Sequence, residues 1–231
     1  MADPVSKASV HAFYVDAIQR GRNTAENLQA PTSERFNLVL DSIGEGTSRT
    51  ALDLGYGAGN HTIAMARAGY RVVAVDQVPA SMLMRRLDGQ GDWTQLIDVH
   101  ESLVEEYAIE RDFGIVVAKD VLHYLTKPEV ESVLESAVAN ARSKNYHYLE
   151  VFTSITRKST EGRLRKIEGE AGYSPESFQR LIERVYRRWD VTLLWDEHTE
   201  TDSRTGANCF EAIRATVIAA NTSAQSGTGK S

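Results

Sequence analysis

The sequence predicts an α/β fold in which a doubly wound, mostly parallel sheet carries helices on both faces. From Thr50 onward, short apolar runs alternate with helical segments, a pattern typical of right-handed strand–helix–strand crossovers. Two further strand-like runs, 190–199 and 208–219, flank a polar connector, which predicts an antiparallel C-terminal hairpin at one edge of the sheet. With 231 residues, 42% of them hydrophobic, the chain can bury one self-sufficient core.

The expected elements follow from hydrophobic periodicity and from Gly and Pro signals. An amphipathic helix is predicted over 5–20, and a second begins at Ser33 and stops near Gly44. The crossover region then gives, in chain order, strand 50–54, helix 58–68, strand 71–75, helix 79–87, strand 94–99, strand 113–118, a helix near 128–141, strand 146–152 and helix 174–188.

Composition and charge disfavour several functional classes. The 26 basic against 32 acidic residues give a net charge of −6, whereas a dedicated nucleic-acid binder is usually basic. The single cysteine, Cys209, excludes an intrachain disulfide and a Cys-rich zinc site, and the six histidines show no HxxxH pair, so no metal site is expected. No apolar run approaches the roughly 18 residues of a membrane span. We therefore expect a cytoplasmic protein without a membrane partner.

The most informative stretch is a glycine-rich turn between a strand and a helix. After Asp53 come three glycines at alternate positions, Gly55, Gly57 and Gly59. Such a turn lets the backbone approach a ligand and presents free N–H groups at a helix N-terminus. The next strand ends at Asp76, where a carboxylate can accept hydrogen bonds from both ribose hydroxyls of an adenosine-containing cofactor. The alternative for Asp76 is a helix N-cap before Pro79.

These residues resemble the class I S-adenosylmethionine-dependent methyltransferases over about 50–220. Asp53 and the three glycines match the Asp-x-Gly-x-Gly-x-Gly motif of that family, and Asp76 matches its ribose-binding acid. Asp98 looks like the acid of its third-strand motif, with Asp92 as the rival in another register. Gly114 departs from a frequent Asp of the fourth strand. The resemblance implies a Rossmann-like fold and S-adenosylmethionine as cofactor, and it extends the cofactor-binding set to Gln77, Val99 and Lys119.

The resemblance also implies a division of the chain. We expect one domain over 1–220, with an N-terminal helical substrate lid at 1–49 and a cofactor-binding core at 50–220. The polar residues 221–231 are expected to form a disordered tail.

Candidate catalytic residues lie where ligands of open α/β sheets bind, beyond the carboxyl ends of the strands. His123 is the first candidate for a general base because its ordinary pKa is about 6.5, with a packed core histidine as the alternative. Tyr14 in the N-terminal helix can reach the methyl site, or belong to the core. Three further residues have two interpretations each. Lys119 and Asp120 either contact a ligand or cap the next element, and Glu150 either points at the substrate or faces solvent.

The function predicted from these residues is methyl transfer to an O or N atom of a small-molecule metabolite by direct displacement. One alternative is a protein or peptide methyltransferase, with 157–188 and the N-terminal helix cradling a chain. Another is a non-catalytic S-adenosylmethionine-binding module. RNA methylation is electrostatically unfavourable. The sequence does not decide whether the protein forms a homo-oligomer.

Overall fold

The computed structural model describes residues 3–20, 22–23, 26–27, 31–45, 47–142, 144–202 and 205–222. Its main sheet has nine strands, and a two-stranded hairpin stands apart from it. The strands are β1 (Asp3–Val5), β2 (Arg22–Asn23), β3 (Glu26–Asn27), β4 (Thr50–Leu54), β5 (Arg71–Asp76), β6 (Ile97–Glu101), β7 (Ile115–Lys119), β8 (Asn145–Lys158), β9 (Leu164–Ile167), β10 (Asp190–Thr201) and β11 (Asn208–Asn221).

Six α-helices connect or flank these strands, and each begins and ends near a recognisable signal. They are α1 (Lys7–Gln19), α2 (Glu34–Ser42), α3 (Asn60–Arg67), α4 (Ala80–Leu87), α5 (Lys127–Ala139) and α6 (Pro175–Val185). Ser6, Ser33, Thr126 and Ser174 cap the N-termini of α1, α2, α5 and α6 with their hydroxyls. In α5 the Glu129 carboxylate also accepts a hydrogen bond from the Thr126 N–H, which completes a capping box.

The sheet is mixed and mostly parallel in its centre. Its order is β6-β5-β4-β7-β8-β11-β10, with parallel pairing from β6 to β8 and antiparallel pairing across β8, β11 and β10. Strand β9 pairs with the far end of β8, and β1 pairs with β9. This arrangement confirms the predicted α/β class, the doubly wound sheet and the C-terminal hairpin.

Helices cover both faces because neighbouring strand residues point to opposite sides. Leu52 and Leu54 join one buried cluster with α5 and α6, whereas Ala51 joins another with α2 and α3. The core is therefore a three-layer stack with the sheet in the middle, as alternating strands and helices predict.

Several predicted boundaries shift. The strand predicted at 94–99 begins later, at Ile97, because residues Asp92–Leu96 form a short 3-10 helix. Gly91 precedes it with a left-handed φ of 109°, and Thr94 closes the turn by donating from its hydroxyl to the Gly91 carbonyl at 2.8 Å. Local turn chemistry thus overrides the strand-like pattern at this position.

The structure also adds strands that the sequence pattern did not predict. Strand β8 runs well beyond the predicted end at residue 152, to Lys158, and β9 and β1 pair alongside its extension. The helix expected over 5–20 begins at Lys7 because Asp3–Val5 is extended. Residues 223–231, most of the predicted disordered tail, lie outside the described residues.

The carboxyl ends of four strands meet at one edge, and this edge positions the candidate site. Asp76 of β5 lies opposite Glu101 of β6, and Leu54 of β4 lies opposite Val75 of β5. On the other side, Lys119 at the end of β7 lies opposite Glu150 of β8. The glycine turn, the β5 acid and the residues after β7 are therefore neighbours in space.

Candidate functional site

A cavity of about 980 Å³ opens at the carboxyl edge of the sheet. Its walls come from α1, from the segment before and at the start of α2, from the turns after β4, β5, β6 and β7, and from β8, β10 and β11. The volume lies at the upper end of the 300–1,000 Å³ range of small-molecule sites. It is therefore large enough for a nucleoside cofactor beside a second small ligand.

The glycine turn lies in the floor of this cavity. Gly55, Gly57 and Gly59 all have left-handed φ values, 74°, 52° and 82°. A Cβ at Gly55 would stand 2.5 Å from the Cβ of Val121, so the turn and the residues after β7 can approach only because a glycine is present. Gly55 and Gly57 line the cavity. Gly59 is the N-cap residue of α3, and a Cβ there would collide with the Leu83 side chain, so this glycine has its role in packing.

Asp53 is a buried acid at the end of β4. Its side chain accepts a hydrogen bond from the Thr62 hydroxyl at 2.5 Å, and the residue is only 2% exposed. Burial raises the pKa of Asp53 to about 7, and the nearby Asp76 carboxylate acts in the same direction. Thr62 only partly offsets these effects. A positively charged ligand beside Asp53 would therefore favour its ionised form.

Asp76 ties the glycine turn to the end of β5. Its two carboxylate oxygens accept hydrogen bonds from the backbone N–H groups of Gly57, at 2.8 Å, and Val78, at 3.0 Å. Burial raises the pKa of Asp76, although both backbone bonds oppose the shift. Gln77, next in the chain, is exposed and lines the same cavity. Both residues expected to hold the nucleoside end thus lie beside the glycine turn.

The other two residues predicted for the nucleoside end lie elsewhere. Asp98 and Val99 stand in the body of β6, outside the cavity walls. Asp98 is exposed and pairs with His100 at 3.1 Å. Because β6 starts late, its carboxyl end falls at Glu101, and Leu103, Val104 and Glu105 reach the cavity instead. Residues 103–105, and not Asp98 or Val99, therefore line this part of the cavity. The rival Asp92 lies in the 3-10 helix before the strand.

Tyr14 reaches the cavity from α1 and meets a partner from the loop after β7. The hydroxyls of Tyr14 and Tyr124 form a short hydrogen bond, and their rings pack edge to face with centroids 5.7 Å apart. Burial raises the pKa of both phenols, so both remain protonated at neutral pH. One hydroxyl donates to the other, and the second keeps its hydrogen for a ligand. Tyr124 in turn lies under the Arg157 guanidinium, which forms a partly buried ion pair with Glu170.

His123 lies away from the cavity walls. It is 2% exposed and packs between the rings of Tyr124 and Phe152. Burial lowers its pKa to about 3, and neither ring nitrogen has a hydrogen-bond partner within the described part of the chain. The structure therefore places His123 as the packed histidine of the two alternatives that the sequence left open, and it gives the general-base prediction no geometric support.

Neither a metal centre nor a membrane span is found in the part of the chain that the structure describes. No cluster of three or more His, Cys, Asp or Glu side chains there could hold a metal ion. Among those residues, no helix has the length and apolar character needed to cross a bilayer.

Comparison with known proteins finds a methyltransferase domain. The family model described as "Methyltransferase domain" matches residues 51–144, which span the glycine turn, Asp76, β7 and α5. This match supports the predicted resemblance to the class I S-adenosylmethionine-dependent methyltransferases.

The individual relatives of this chain are distant. The ubiquinone biosynthesis O-methyltransferase of Bordetella pertussis is 26% identical over 165 residues, which cover 71% of this chain and 64% of that protein. The chain thus matches less than two thirds of the length of this curated relative. A solved 1,6-didemethyltoxoflavin-N1-methyltransferase from Burkholderia thailandensis, with its substrate and S-adenosylhomocysteine bound, superposes with a TM-score of 0.61 at 18% identity, covering 94% of this chain and 88% of that one.

A second solved structure, TehB from Haemophilus influenzae, superposes with a TM-score of 0.59 at 16% identity over 82% of this chain and 63% of that one. At such identities the two superpositions establish the shared methyltransferase fold.

The structure brings further residues to the cavity that the motifs did not indicate. Arg214 and Thr216 reach it from β11, and Arg35 and Asp196 form an ion pair at its rim. A signal for Arg214 is present in the sequence, because it interrupts the apolar run of the last strand. Lys119, predicted as a cofactor contact, lines the cavity and donates to Asp120 at 2.9 Å.

Proposed function

We propose that this protein binds S-adenosylmethionine and transfers its methyl group to an O or N atom of a small molecule. The observation that carries the proposal is the joining of two unlike regions in one cavity. The buried Asp53, the half-buried Asp76 and a glycine turn form one end, and tyrosine hydroxyls and paired charges form the other. The first region fits the cofactor and the second fits a polar acceptor.

The residues present fit the cofactor. Its sulfonium and ammonium groups are cationic. Burial raises the pKa of Asp53 and Asp76, and a cationic group beside these carboxyls would stabilise their ionised forms. We assign Asp53 and the turn at Gly55 and Gly57 to the amino-acid end. Asp76 and Gln77 are assigned to the ribose. Residues 103–105, in place of Asp98 and Val99, are assigned to the adenine base.

Catalysis in such a site depends mainly on positioning and on excluding water. When bound, the cofactor supplies an electrophilic methyl group on a positively charged sulfur, which leaves as a neutral thioether. The protein holds the acceptor and the methyl group in line, and such positioning is worth roughly 7–11 kcal/mol. One of the Tyr14 and Tyr124 hydroxyls donates to the other, and the second keeps its hydrogen for a bond that fixes the acceptor. The buried Asp53 keeps negative charge close to the cationic cofactor.

The shape of the cavity favours a small acceptor over a peptide. Helix α1 contributes Lys7, His11, Tyr14 and Ile18 to one wall, in the manner expected of a lid. A peptide substrate would need an open groove along the surface. We therefore propose that residues 1–49 cover the acceptor site of a single domain that extends to about residue 220, and that the protein acts in the cytoplasm, where its single cysteine stays reduced.

Calorimetry with S-adenosylhomocysteine tests the proposal. We expect binding to the wild-type protein and a loss of at least tenfold, or about 1.4 kcal/mol, in the Asp76→Ala variant. Asp16→Asn, an exposed change on the outer side of α1, is the matched control and should bind normally. Absence of binding to the wild type would refute the proposed function, and an unchanged affinity in Asp76→Ala would remove the ribose assignment.

A further inference from the structure

Four charged side chains form a closed ring in the wall of the cavity, which we call the charge ring: Lys119, Asp120, Glu150 and Arg214. Lys119 Nζ lies 2.9 Å from Asp120 Oδ2 and 3.9 Å from Glu150 Oε2. On the opposite side, Arg214 Nη2 lies 3.5 Å from Asp120 Oδ2, and Arg214 Nε lies 3.8 Å from Glu150 Oε2. Acid and base therefore alternate around the ring.

The sheet register builds this arrangement. Lys119 at the end of β7 stands opposite Glu150 of β8, and Glu150 stands opposite Thr216 of β11. Arg214 lies two residues from Thr216 and so on the same face of β11. Asp120 follows Lys119 with a left-handed φ of 55°, a backbone conformation that costs a non-glycine residue about 1–3 kcal/mol and is concentrated at functional sites.

The charge ring is electrically balanced but poor in hydrogen bonds. Two cations face two anions, so the ring offers no net charge to an ion. At the same time Asp120 Oδ1, Glu150 Oε2, Arg214 Nε and Thr216 Oγ1 are buried without a hydrogen-bond partner within the described part of the chain. The ion pairs at 3.5–3.9 Å are too long to serve as good hydrogen bonds.

Glu150 is the clearest case of a charge-ring side chain that is short of hydrogen bonds. It is 3% exposed, and its Oε1 receives the hydroxyl hydrogen of Tyr148, whereas its Oε2 has only the two long ion pairs. A buried polar group left without a partner costs about 1–3 kcal/mol. A ligand that supplied the missing hydrogen bonds would recover this cost, and the charge balance sets what kind of ligand gains most.

We propose that the charge ring recognises the methyl acceptor and selects an uncharged ligand whose edge carries a hydrogen-bond donor beside an acceptor, as in a ring amide. The donor of such a ligand meets Asp120 or Glu150, and its acceptor meets Arg214. An anion or a cation is attracted by one pair of the ring and repelled by the other. This inference rests on the proposed function, because it names the substrate class of the same site.

Ligand titrations followed by NMR, with the protein saturated with S-adenosylhomocysteine, test this selection. The probes are 2-pyridone, benzoate and benzylammonium, which are similar in size and differ in charge. We expect the wild type to bind 2-pyridone at least tenfold more tightly than either ion. Equal affinities, a preference for an ion, or no binding of 2-pyridone would overturn the inference.

Single variants should change the preference in opposite directions. Glu150→Gln leaves the ring with one excess positive charge and should raise the affinity for benzoate relative to 2-pyridone at least tenfold. Arg214→Gln leaves one excess negative charge and should do the same for benzylammonium. The double variant Glu150→Gln/Arg214→Gln restores the balance and the preference for a neutral ligand.

Two controls separate this inference from loss of folding and from the proposed function. Glu211→Gln, on β11 but outside the charge ring and paired with Lys158 at the surface, should behave as the wild type. S-adenosylhomocysteine binding to each variant reports on the fold. Normal cofactor binding with the same probe preference in every variant would refute the charge ring alone, whereas a wild type that does not bind S-adenosylhomocysteine would refute the proposed function.

Discussion

Replacing the buried carboxylate of Asp53 should make the protein more stable and its cofactor binding weaker. Burial moves the pKa of Asp53 from 3.8 to about 7, so the folded state holds a proton that the unfolded chain releases. Stability is therefore lost as the pH rises from about 4 through about 7. At about 1.4 kcal/mol per pH unit, the shift corresponds to at most about 4 kcal/mol above pH 7. Asp53→Asn removes this cost and keeps an acceptor for Thr62.

Urea unfolding at several pH values measures the effect. The free energy of unfolding of Asp53→Asn minus that of the wild type should grow by about 2–3 kcal/mol between about pH 5 and pH 8, from the same linkage. Asp41→Asn, an exposed change on α2, should show no such growth. Parallel curves for Asp53→Asn and the wild type would refute the assignment of a raised pKa to Asp53. S-adenosylhomocysteine affinity should fall at least tenfold in the same variant, because its ammonium group loses a buried carboxylate.

Three further changes test other parts of the site. Gly55→Ala should lower the free energy of unfolding in urea by about 2–4 kcal/mol, because its Cβ would meet Val121. Gly69→Ala, with a similar φ of 84° but open space around it, should lower it only by the backbone strain of about 1–2 kcal/mol. Equal losses in the two variants would contradict the close approach of Gly55 and Val121. Tyr14→Phe should reduce methyl transfer about three- to tenfold by removing one hydrogen bond, with S-adenosylhomocysteine affinity unchanged in calorimetry. His123→Asn should leave the shape of the pH–rate profile unaltered over roughly pH 5–9, since His123 has a pKa of about 3; loss of an inflection near neutrality would restore His123 as the base.

The fold was predictable because its signals are local and repeated. Alternating apolar strands and helices define the α/β class, and the run from Asp53 to Gly59 can form only a tight strand–turn–helix connection at a ligand site. Asp76 was found for the same reason, since parallel strands end at a common edge. These residues occupy the positions along the chain that the pattern indicates, and the sheet then brings them together.

Residues that depend on register or on distant pairing were harder to place. Asp98, predicted as a cofactor contact, lies outside the cavity walls. A 3-10 helix precedes β6, so the strand begins three residues later than predicted. His123 is close to the site in sequence, but its side chain turns into the core beside Phe152. The charge ring joins β7, β8 and β11, which are separated by long stretches of chain, and no local pattern shows that Arg214 faces Glu150.

Methyl transfer from labelled S-adenosylmethionine tests the central claim most directly. The protein is incubated with methyl-labelled cofactor and a mixture of small metabolites and proteins, and the label is followed into the low-mass and macromolecular fractions. The proposed function predicts label in a low-mass product with the wild type and a strong reduction with Asp76→Ala. Label confined to protein, or no transfer by a wild type that binds the cofactor, would contradict it.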